Sequence, residues 1–245
     1  MSYTDITTRD RNPIKRWLQR RRFSNAIGLI DWASPREDLR ILDYGAGNGE
    51  LIRQIEMVRE IDAWVYEPTS WLMAEARENL SGLTSVTFAD SIADLQSSSF
   101  DYVFCLEVLE HLPDRELLAV MSEIQRLLRP DGVALVGVPH ELFLPALVKG
   151  AFRAARRYGE FDTVPRNIMN AVMGRAPSPR PASEIAPGFA YHFHHLGFDF
   201  RTLDRKLREH FHVEGRWFSP FPLLGLFFNS EVYFSLRKSR QVSVT

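Results

Sequence analysis

The feature that most restricts the fold of this chain is a glycine-rich turn between a strand pattern and a helix pattern. Apolar residues within 39–42 favour a buried strand that ends at Asp43, and an apolar pattern with helical spacing begins at Leu51. The turn between them has a glycine at every second position, at Gly45, Gly47 and Gly49. Glycines at such a turn allow a sharp bend and let a ligand approach the main chain closely. We therefore expect a binding loop at the carboxyl end of the first strand.

The turn differs from the dinucleotide-binding fingerprint G-x-G-x-x-G, because its third glycine comes one residue early. Glu50 therefore occupies the position of the last fingerprint glycine, and Asp43 precedes the turn. Two carboxylates at these positions would repel a pyrophosphate group. They suit a ligand that offers hydroxyl groups and a cationic amine, so we expect such a ligand rather than a dinucleotide.

Two later strand patterns also end in acidic residues. Residues 63–66 lead into Glu67 and Pro68, and residues 85–89 lead into Asp90 and Ser91. An acid at the end of the second strand is typical of a ribose-binding position. A solvated strand end or a simple turn is the structural alternative for each acid.

The fourth strand pattern, at residues 100–106, leads into several charged groups. Glu107, Glu110 and His111 follow one another closely at its end. After a helix pattern, the turn Leu128-Arg129-Pro130-Asp131-Gly132 introduces a fifth strand at 133–138. Strands that alternate with helices in this way predict an α/β doubly wound sheet.

Together these segments resemble the class I S-adenosylmethionine-dependent methyltransferases, especially the small-molecule members of the ubiquinone type. The matching phrases are D-x-G-x-G-x-G after the first strand, E-x-x-E-H-L after the fourth and L-R-P-D-G before the fifth, within residues 39–139. The resemblance implies a mostly parallel seven-stranded sheet of order 3-2-1-4-5-7-6, with the last strand antiparallel and helices on both faces. Its strands 6 and 7 correspond to the alternating patterns at 211–218 and 230–236.

The resemblance also implies that S-adenosylmethionine is the cofactor. By analogy with the family, Glu67 binds its ribose and Asp90 its adenine amino group. The expected cofactor-binding residues are Asp43, Gly45, Ala46, Gly47, Gly49, Glu67, Pro68, Asp90, Ser91, Leu106 and Glu107.

The chain divides into four predicted segments. Residues 1–38 form an N-terminal helical cap, with a basic helix at 13–32, and residues 39–139 form the cofactor-binding core. Residues 140–198 are an insertion that we interpret as an acceptor lid. Residues 199–245 hold the last crossover helix and a closing β-hairpin.

The insertion is expected to contain helices at 141–158 and 168–173. The first combines apolar and basic side chains, including Arg153, which we expect to contact the acceptor. A basic, apolar helix could instead lie on a membrane surface, so peripheral membrane contact is the alternative.

Two groups of residues are candidates for chemistry. His111 is a candidate general base for an unactivated hydroxyl, with Glu107 beside it, and a structural role of His111 in its turn is the alternative. His192 and His195 are candidates for acceptor binding, against a packing or capping role. No cysteine or acidic residue stands at a recognisable ligand spacing from these histidines, so we expect no metal ion.

The chain has 245 residues, of which 45% are hydrophobic and 25% are charged, and this composition is that of an ordinary globular protein. The single cysteine, Cys105, and an N-terminus without an apolar signal segment favour the cytoplasm. Net charge is −1, yet residues 41–140 are acidic while residues 1–40 and 141–183 are basic. Basic flanks favour an anionic or lipid-linked acceptor, with solvated faces as the alternative.

The favoured function is methyl transfer to a small-molecule acceptor, at an oxygen of a sugar, a lipid-linked compound or a secondary metabolite. A protein or nucleic-acid methyltransferase is the first alternative. The N-P-P-Y type of motif found in amino-group nucleic-acid enzymes is absent after the fourth strand, so we expect no nucleic-acid partner. A catalytically degenerate cofactor-binding scaffold is the second alternative, and the complete set of motif residues argues against it. The oligomeric state stays open.

Overall fold

A computed structural model describes residues 13–33, 38–155, 159–186 and 189–239. Parts of the predicted N-terminal cap (1–12 and 34–37), of the predicted insertion (156–158, 187–188) and of the C-terminal segment (240–245) lie outside the described residues.

The described chain forms one seven-stranded sheet and one separate hairpin. The sheet has the order β3-β2-β1-β4-β5-β9-β8. Its strands are β1 (Arg40–Tyr44), β2 (Asp62–Tyr66), β3 (Val86–Ala89), β4 (Phe100–Leu106), β5 (Leu128–Pro139), β8 (Phe211–Ser219) and β9 (Glu231–Lys238). The hairpin pairs β6 (Ser183–Ala186) with β7 (Phe189–Tyr191).

Strand directions confirm the predicted topology. Strands β1 to β5 pair in parallel with one another, whereas β9 runs antiparallel to both β5 and β8. The expected strands 6 and 7 are therefore β8 and β9, and the order 3-2-1-4-5-7-6 is confirmed. The parallel strands carry long buried stretches because helices cover both faces of the sheet.

Helices lie on both faces, as expected. They are α1 (Pro13–Ile27), α2 (Glu50–Glu56), α3 (Ser70–Asn79), α4 (Asp114–Leu127), α5 (Leu144–Ala154), α6 (Pro165–Val172), α7 (Phe200–His210) and α8 (Gly225–Phe228). One face packs α4 and α7 on the sheet, with Met121 and Leu207 fully buried. The other face packs α1, α2 and α3, with Ala26, Ile55 and Ala76 fully buried.

The insertion differs in part from its sequence pattern. The two expected helices are present, but α5 begins at Leu144 because Pro145 occupies the first turn, where its missing N–H costs nothing. The β6–β7 hairpin was not predicted, because its strands have only four and three residues and no clear alternation. A small cluster around Leu142, Ala146 and Leu196 joins the insertion helices to the segment after the hairpin.

Across the described residues, the helices fall short of the length and hydrophobicity needed to span a membrane.

Candidate active site

A cavity of about 610 Å³ opens at the carboxyl ends of β1, β2 and β4. Ligands in doubly wound sheets bind at this edge, where the strand order reverses from β1 to β4. Ten of the residues expected from the sequence to bind cofactor or acceptor or to take part in catalysis line it: Asp43, Gly45, Ala46, Gly47, Glu67, Pro68, Leu106, Glu107, His111 and His195.

The glycine-rich turn is fixed to the end of β2 by one carboxylate. Gly47 has a φ of 57°, in the left-handed region that favours glycine, and its N–H donates to Glu67 Oε2 at 2.9 Å. The N–H of Thr69 donates to Glu67 Oε1 at 2.8 Å. Both oxygens of Glu67 are thereby oriented at the rim of the cavity.

Gly45 and Gly49 are required by packing around the turn. A Cβ on Gly45 would meet Val108 Cγ2 at 2.5 Å, and one on Gly49 would meet Leu80 Cδ1 at 2.7 Å. Gly45 lines the cavity, whereas Gly49 packs on the end of α3 and does not. Residues with side chains at these positions would push the turn away from β4 or from α3.

Asp43 lies below the turn with only 3% of its surface exposed. Burial, and then the nearby Glu67 carboxylate, raise the pKa of Asp43 from 3.8 to about 7. This group therefore titrates near neutral pH, and a cationic ligand group would favour its charged form.

The third predicted acid lies away from this cavity. The Asp90 side chain is 87% exposed and forms an ion pair with Arg77 at 2.9 Å. Ser91 caps a short 3₁₀ helix by accepting a hydrogen bond from the N–H of Ala93. Neither residue lines the cavity, and their contact with the cofactor stays a prediction.

Glu107 directly follows β4 and has an unusual backbone conformation. Its φ of 57° is left-handed, which is strained for a residue with a side chain, and such strained residues cluster at functional sites. Its carboxylate lies 3.6 Å from Arg22 Nη2. Burial raises the pKa of Glu107, while the Arg22 guanidinium opposes that rise.

Arg22 was not predicted from the sequence, although it lines the cavity. Its Nη2 donates to Glu231 Oε1 at 2.7 Å, and the hydroxyl of Tyr233 donates to Glu231 Oε2 at 2.8 Å. Through its ion pairs with Glu231 and Glu107, Arg22 connects α1 to β9 and to the segment that follows β4. The basic helix was expected, but the periodicity of its many arginines does not indicate which one points into the site.

His111 follows β4 in a short 3₁₀ helix and faces the cavity. Its Nδ1 donates to the carbonyl of His192 at 2.6 Å, so in the neutral ring Nε2 carries the lone pair. Tyr191, which was not predicted either, stacks on the imidazole with ring centroids 4.5 Å apart. Burial lowers the pKa of His111 to about 4.

The three predicted acceptor residues are separated in the structure. His195 lines the cavity, and its Nε2 lies 3.3 Å from Nε2 of His111. The His192 imidazole lies outside the lining and contacts the carbonyl of Pro181. Arg153 does not line the cavity and pairs with Glu141 and Asp162, so its role toward an acceptor stays a prediction.

Comparison with known proteins decides the family. A family model described as a methyltransferase domain matches residues 17–183, which is more than half of the chain. The chain belongs to this family. It is a class I S-adenosylmethionine-dependent methyltransferase, and S-adenosylmethionine is its cofactor.

One curated relative of the methyltransferase is the ubiquinone biosynthesis O-methyltransferase of Xanthomonas oryzae pv. oryzae (strain PXO99A). The two are 38% identical over 114 residues, which cover 42% of this chain and 45% of the relative. The chain therefore matches less than half the length of that relative.

Solved structures show the same fold. The PH0226 protein from Pyrococcus horikoshii OT3 aligns with a TM-score of 0.60 at 13% identity, over 97% of this chain and 96% of that one. The magnesium protoporphyrin IX methyltransferase from Synechocystis PCC 6803, solved with bound SAH, aligns with a TM-score of 0.56 at 16% identity, over 93% and 88% of the chains.

The residues of the methyltransferase fit its cofactor. The turn exposes the main chain of Gly45 and Gly47, where a Cβ would restrict ligand approach. Glu67 offers two carboxylate oxygens suited to paired hydroxyls, and the buried Asp43 carboxyl lies in the same cavity. These donors and acceptors match a ligand with ribose hydroxyls and an amino group.

Proposed function

We propose that this methyltransferase transfers a methyl group to an oxygen atom of a small-molecule acceptor. The observation that carries the proposal is that His111 lines the same cavity as Glu67 and the glycine-rich turn, with its Nε2 lone pair uncommitted to a main-chain partner. The name of the curated relative, an O-methyltransferase of ubiquinone biosynthesis, supports the same atom type.

The cofactor would be held by the residues expected from the sequence. Glu67 would bind the ribose hydroxyls, and the main chain of Gly45, Ala46 and Gly47 would contact the amino-acid portion. Asp43 would balance the cationic amine. Leu106, Pro68 and Glu107 would complete the wall, with Gly49 supporting the turn and Asp90 and Ser91 reaching the adenine.

When bound, the cofactor supplies an electrophilic methyl group on a sulfonium, and the protein mainly positions the acceptor for in-line attack. His111 and Glu107 are the proposed catalytic residues, because both lie at the carboxyl end of β4 between the turn and the insertion. His111 Nε2 would meet the acceptor hydroxyl. Glu107, which is held by Arg22, would orient the reacting end of the acceptor.

The insertion at 140–198 is the proposed acceptor lid. Tyr191 and His195 from this segment line the cavity, so an acceptor would touch them. The basic groups of the lid are largely engaged elsewhere, with Arg153 and Lys149 paired to Glu141. This arrangement supports an acceptor whose reacting end is an uncharged hydroxyl compound, with any anionic or lipid-linked portion outside the cavity.

Sugars, lipid-linked compounds and secondary metabolites remain the proposed acceptor classes. Leu147, Val148 and Phe152 on α5 are exposed, which supports peripheral membrane contact for a lipid-linked acceptor.

The test uses matched acceptors that differ only in the reacting atom. The enzyme is incubated with S-adenosylmethionine that carries a deuterated methyl group and with pairs of hydroxyl and amino compounds on the same scaffold. We expect mass spectrometry to find the deuterated methyl group on the oxygen atom of the acceptor. Label only on nitrogen or carbon, or on added RNA or protein, would contradict it.

A cofactor complex without turnover on any of these acceptors would favour the degenerate scaffold. The control for background methylation is the Gly47→Val variant, in which a side chain would block the approach of the cofactor to the main chain.

A further inference from the structure

The connection between β8 and β9 exposes a run of large apolar side chains. The segment between Arg216 and Glu231 contains no charged residue. The side chain of Leu223 is 100% exposed. Four of its neighbours are about half exposed, namely Phe221, Leu224, Phe227 and Phe228. Single exposed apolar residues are common on protein surfaces, but a contiguous group of this kind marks an interaction surface.

Hydrogen bonds give this connection a defined shape. The fully buried Asn229 donates from Nδ2 to the carbonyls of Phe221 at 2.7 Å and Gly225 at 2.6 Å, and its Oδ1 accepts from the N–H of Phe221 at 2.6 Å. Nε2 of His140 donates to the carbonyl of Leu226 at 2.9 Å. A surface that is ordered before its partner arrives loses less conformational entropy on binding. The connection therefore presents its apolar side chains on a preformed surface.

A groove beside α1 continues this apolar surface. The ring of Trp17 on α1 contacts that of Phe221, with centroids 5.9 Å apart. A cavity of about 240 Å³ is lined by α1, the residues that follow it, and the β8–β9 pair: Ser24, Asn25, Gly28, Leu29, Trp217, Phe218, Pro222 and Tyr233. Because Pro222 lines the groove and directly precedes Leu223, the exposed leucine stands at the edge of the groove.

The exposed loop residues, Trp17, Trp217 and the groove are together called the β8–β9 surface. Its five large aromatic side chains are 37–54% exposed: Trp17, Trp217, Phe221, Phe227 and Phe228. A side chain of this type has about 150–250 Å² to bury, so the five leave roughly 500 Å² open to solvent. Leu223 and Leu224 bring the apolar area close to the ~800 Å² that each partner contributes to a stable interface of standard size.

We propose that the β8–β9 surface binds a second copy of the chain, in a two-fold symmetric dimer in which Leu223 of each copy enters the groove of the other. A two-fold contact places the same surface on both sides, so the surface must be complementary to itself. An exposed side chain beside an apolar groove meets this requirement. A two-fold axis near Pro222 would bring each leucine to the opposite groove.

Charge and shape favour a second copy over a lipid surface. Segments that lie on membranes combine apolar side chains with lysines and arginines that meet anionic head groups, and residues 217–230 contain neither. The core of a protein interface is depleted of charge and fits its partner closely, as a groove with a defined lining requires. A fluid bilayer supplies no such complementary shape. The membrane contact proposed for α5 uses other residues.

The test measures the oligomeric state of the full chain in the absence of detergent. Sedimentation velocity at micromolar chain concentrations should give a species with twice the mass of one chain. In Leu223→Asp a carboxylate without a partner would have to enter each groove. Since the dimer carries this change twice, its dissociation constant should rise at least about a hundredfold.

The matched control is Leu118→Asp, which places the same charge at an exposed leucine on α4 and should sediment as a dimer like the wild type. Circular dichroism checks the fold of both variants, and the full exposure of Leu223 means that its replacement removes no contact within the chain. A wild type that sediments as a monomer, or a dimer equally stable in Leu223→Asp and Leu118→Asp, would overturn the proposal. So would a monomer that sediments with vesicles of phosphatidylcholine and phosphatidylglycerol and loses this binding in Leu223→Asp, because lipid would then be the occupant.

Discussion

The carboxylate of Glu67 accepts a hydrogen bond from the main-chain N–H of Gly47 at 2.9 Å, and this contact links the end of β2 to the turn after β1. The two segments are neighbours because β1 and β2 pair in parallel from Arg40 to Tyr44. One side chain therefore both shapes the glycine-rich turn and offers oxygen atoms to a ligand.

Glu67→Ala should weaken binding of S-adenosylhomocysteine by about 1–3 kcal/mol, since a ligand hydroxyl pair and two main-chain N–H groups lose their acceptor. Calorimetric titration measures the change. Glu209→Ala, which removes an exposed glutamate on α7, is the control and should bind like the wild type. Unchanged affinity in Glu67→Ala would remove Glu67 from the cofactor site.

Gly47→Val should abolish cofactor binding, because a β-branched side chain at a φ of 57° is strained and would occupy the space beside the main chain. Gly82→Val is the matched control, since a Cβ there meets no atom within 4 Å. Equilibrium dialysis with labelled S-adenosylmethionine separates the two variants. Binding by Gly47→Val close to that of the wild type would contradict the assignment of the turn.

Asp43→Asn should become increasingly more stable than the wild type as pH rises. The raised pKa of Asp43, about 7 against 3.8 when unfolded, means that the folded state holds the proton more tightly. The contribution of Asp43 to stability is fully present below pH 3.8 and is lost as pH rises to 7. The free energy of unfolding of the wild type should therefore fall by about 2–3 kcal/mol relative to that of the variant between pH 5 and 8.

Urea unfolding of the cofactor-free protein at these two pH values measures this difference. A gap between Asp43→Asn and the wild type that stays constant with pH would show that Asp43 does not titrate in this range.

Arg22→Met should destabilise the protein by about 3 kcal/mol, because the carboxylates of Glu231 and Glu107 lose their cation inside the fold. Adding Glu231→Gln to this variant should restore part of the loss. Arg205→Met, at an exposed position on α7, should change the free energy of unfolding by less than about 0.5 kcal/mol. Additive effects of Arg22→Met and Glu231→Gln in urea unfolding would show that the pair is not coupled.

The fold could be predicted from the sequence because its main signals are local. Buried strands, helical periodicity and the glycine turn at Gly45 and Gly47 each lie within a few residues, and strand order follows from the family phrases. The hairpin of β6 and β7 lacked such a signal, since seven residues in two short strands show too little alternation.

Only the residues of the candidate site that stand at the carboxyl ends of strands could be predicted from the sequence. Glu67, Glu107 and His111 stand at strand ends, which meet at one edge of a parallel sheet. Asp90 satisfies the same rule, yet its side chain turns outward to Arg77. Which side of a loop a residue faces depends on tertiary packing.

Side-chain contacts between distant segments outside the sheet could not be predicted. Arg22 meets Glu231 across 209 positions, and His111 meets His195 across 84. Nothing in the local pattern of either residue indicates its partner.

We expect the cavity at the carboxyl ends of β1, β2 and β4 to hold the cofactor next to the acceptor. A crystal structure with bound S-adenosylhomocysteine would show whether it does. In that structure the ribose hydroxyls should lie within hydrogen-bond distance of the Glu67 carboxylate, and the sulfur atom should be directed toward His111 and His195. A ligand bound outside this cavity, or one with its ribose away from Glu67, would show that the cavity is not the methyl-transfer site.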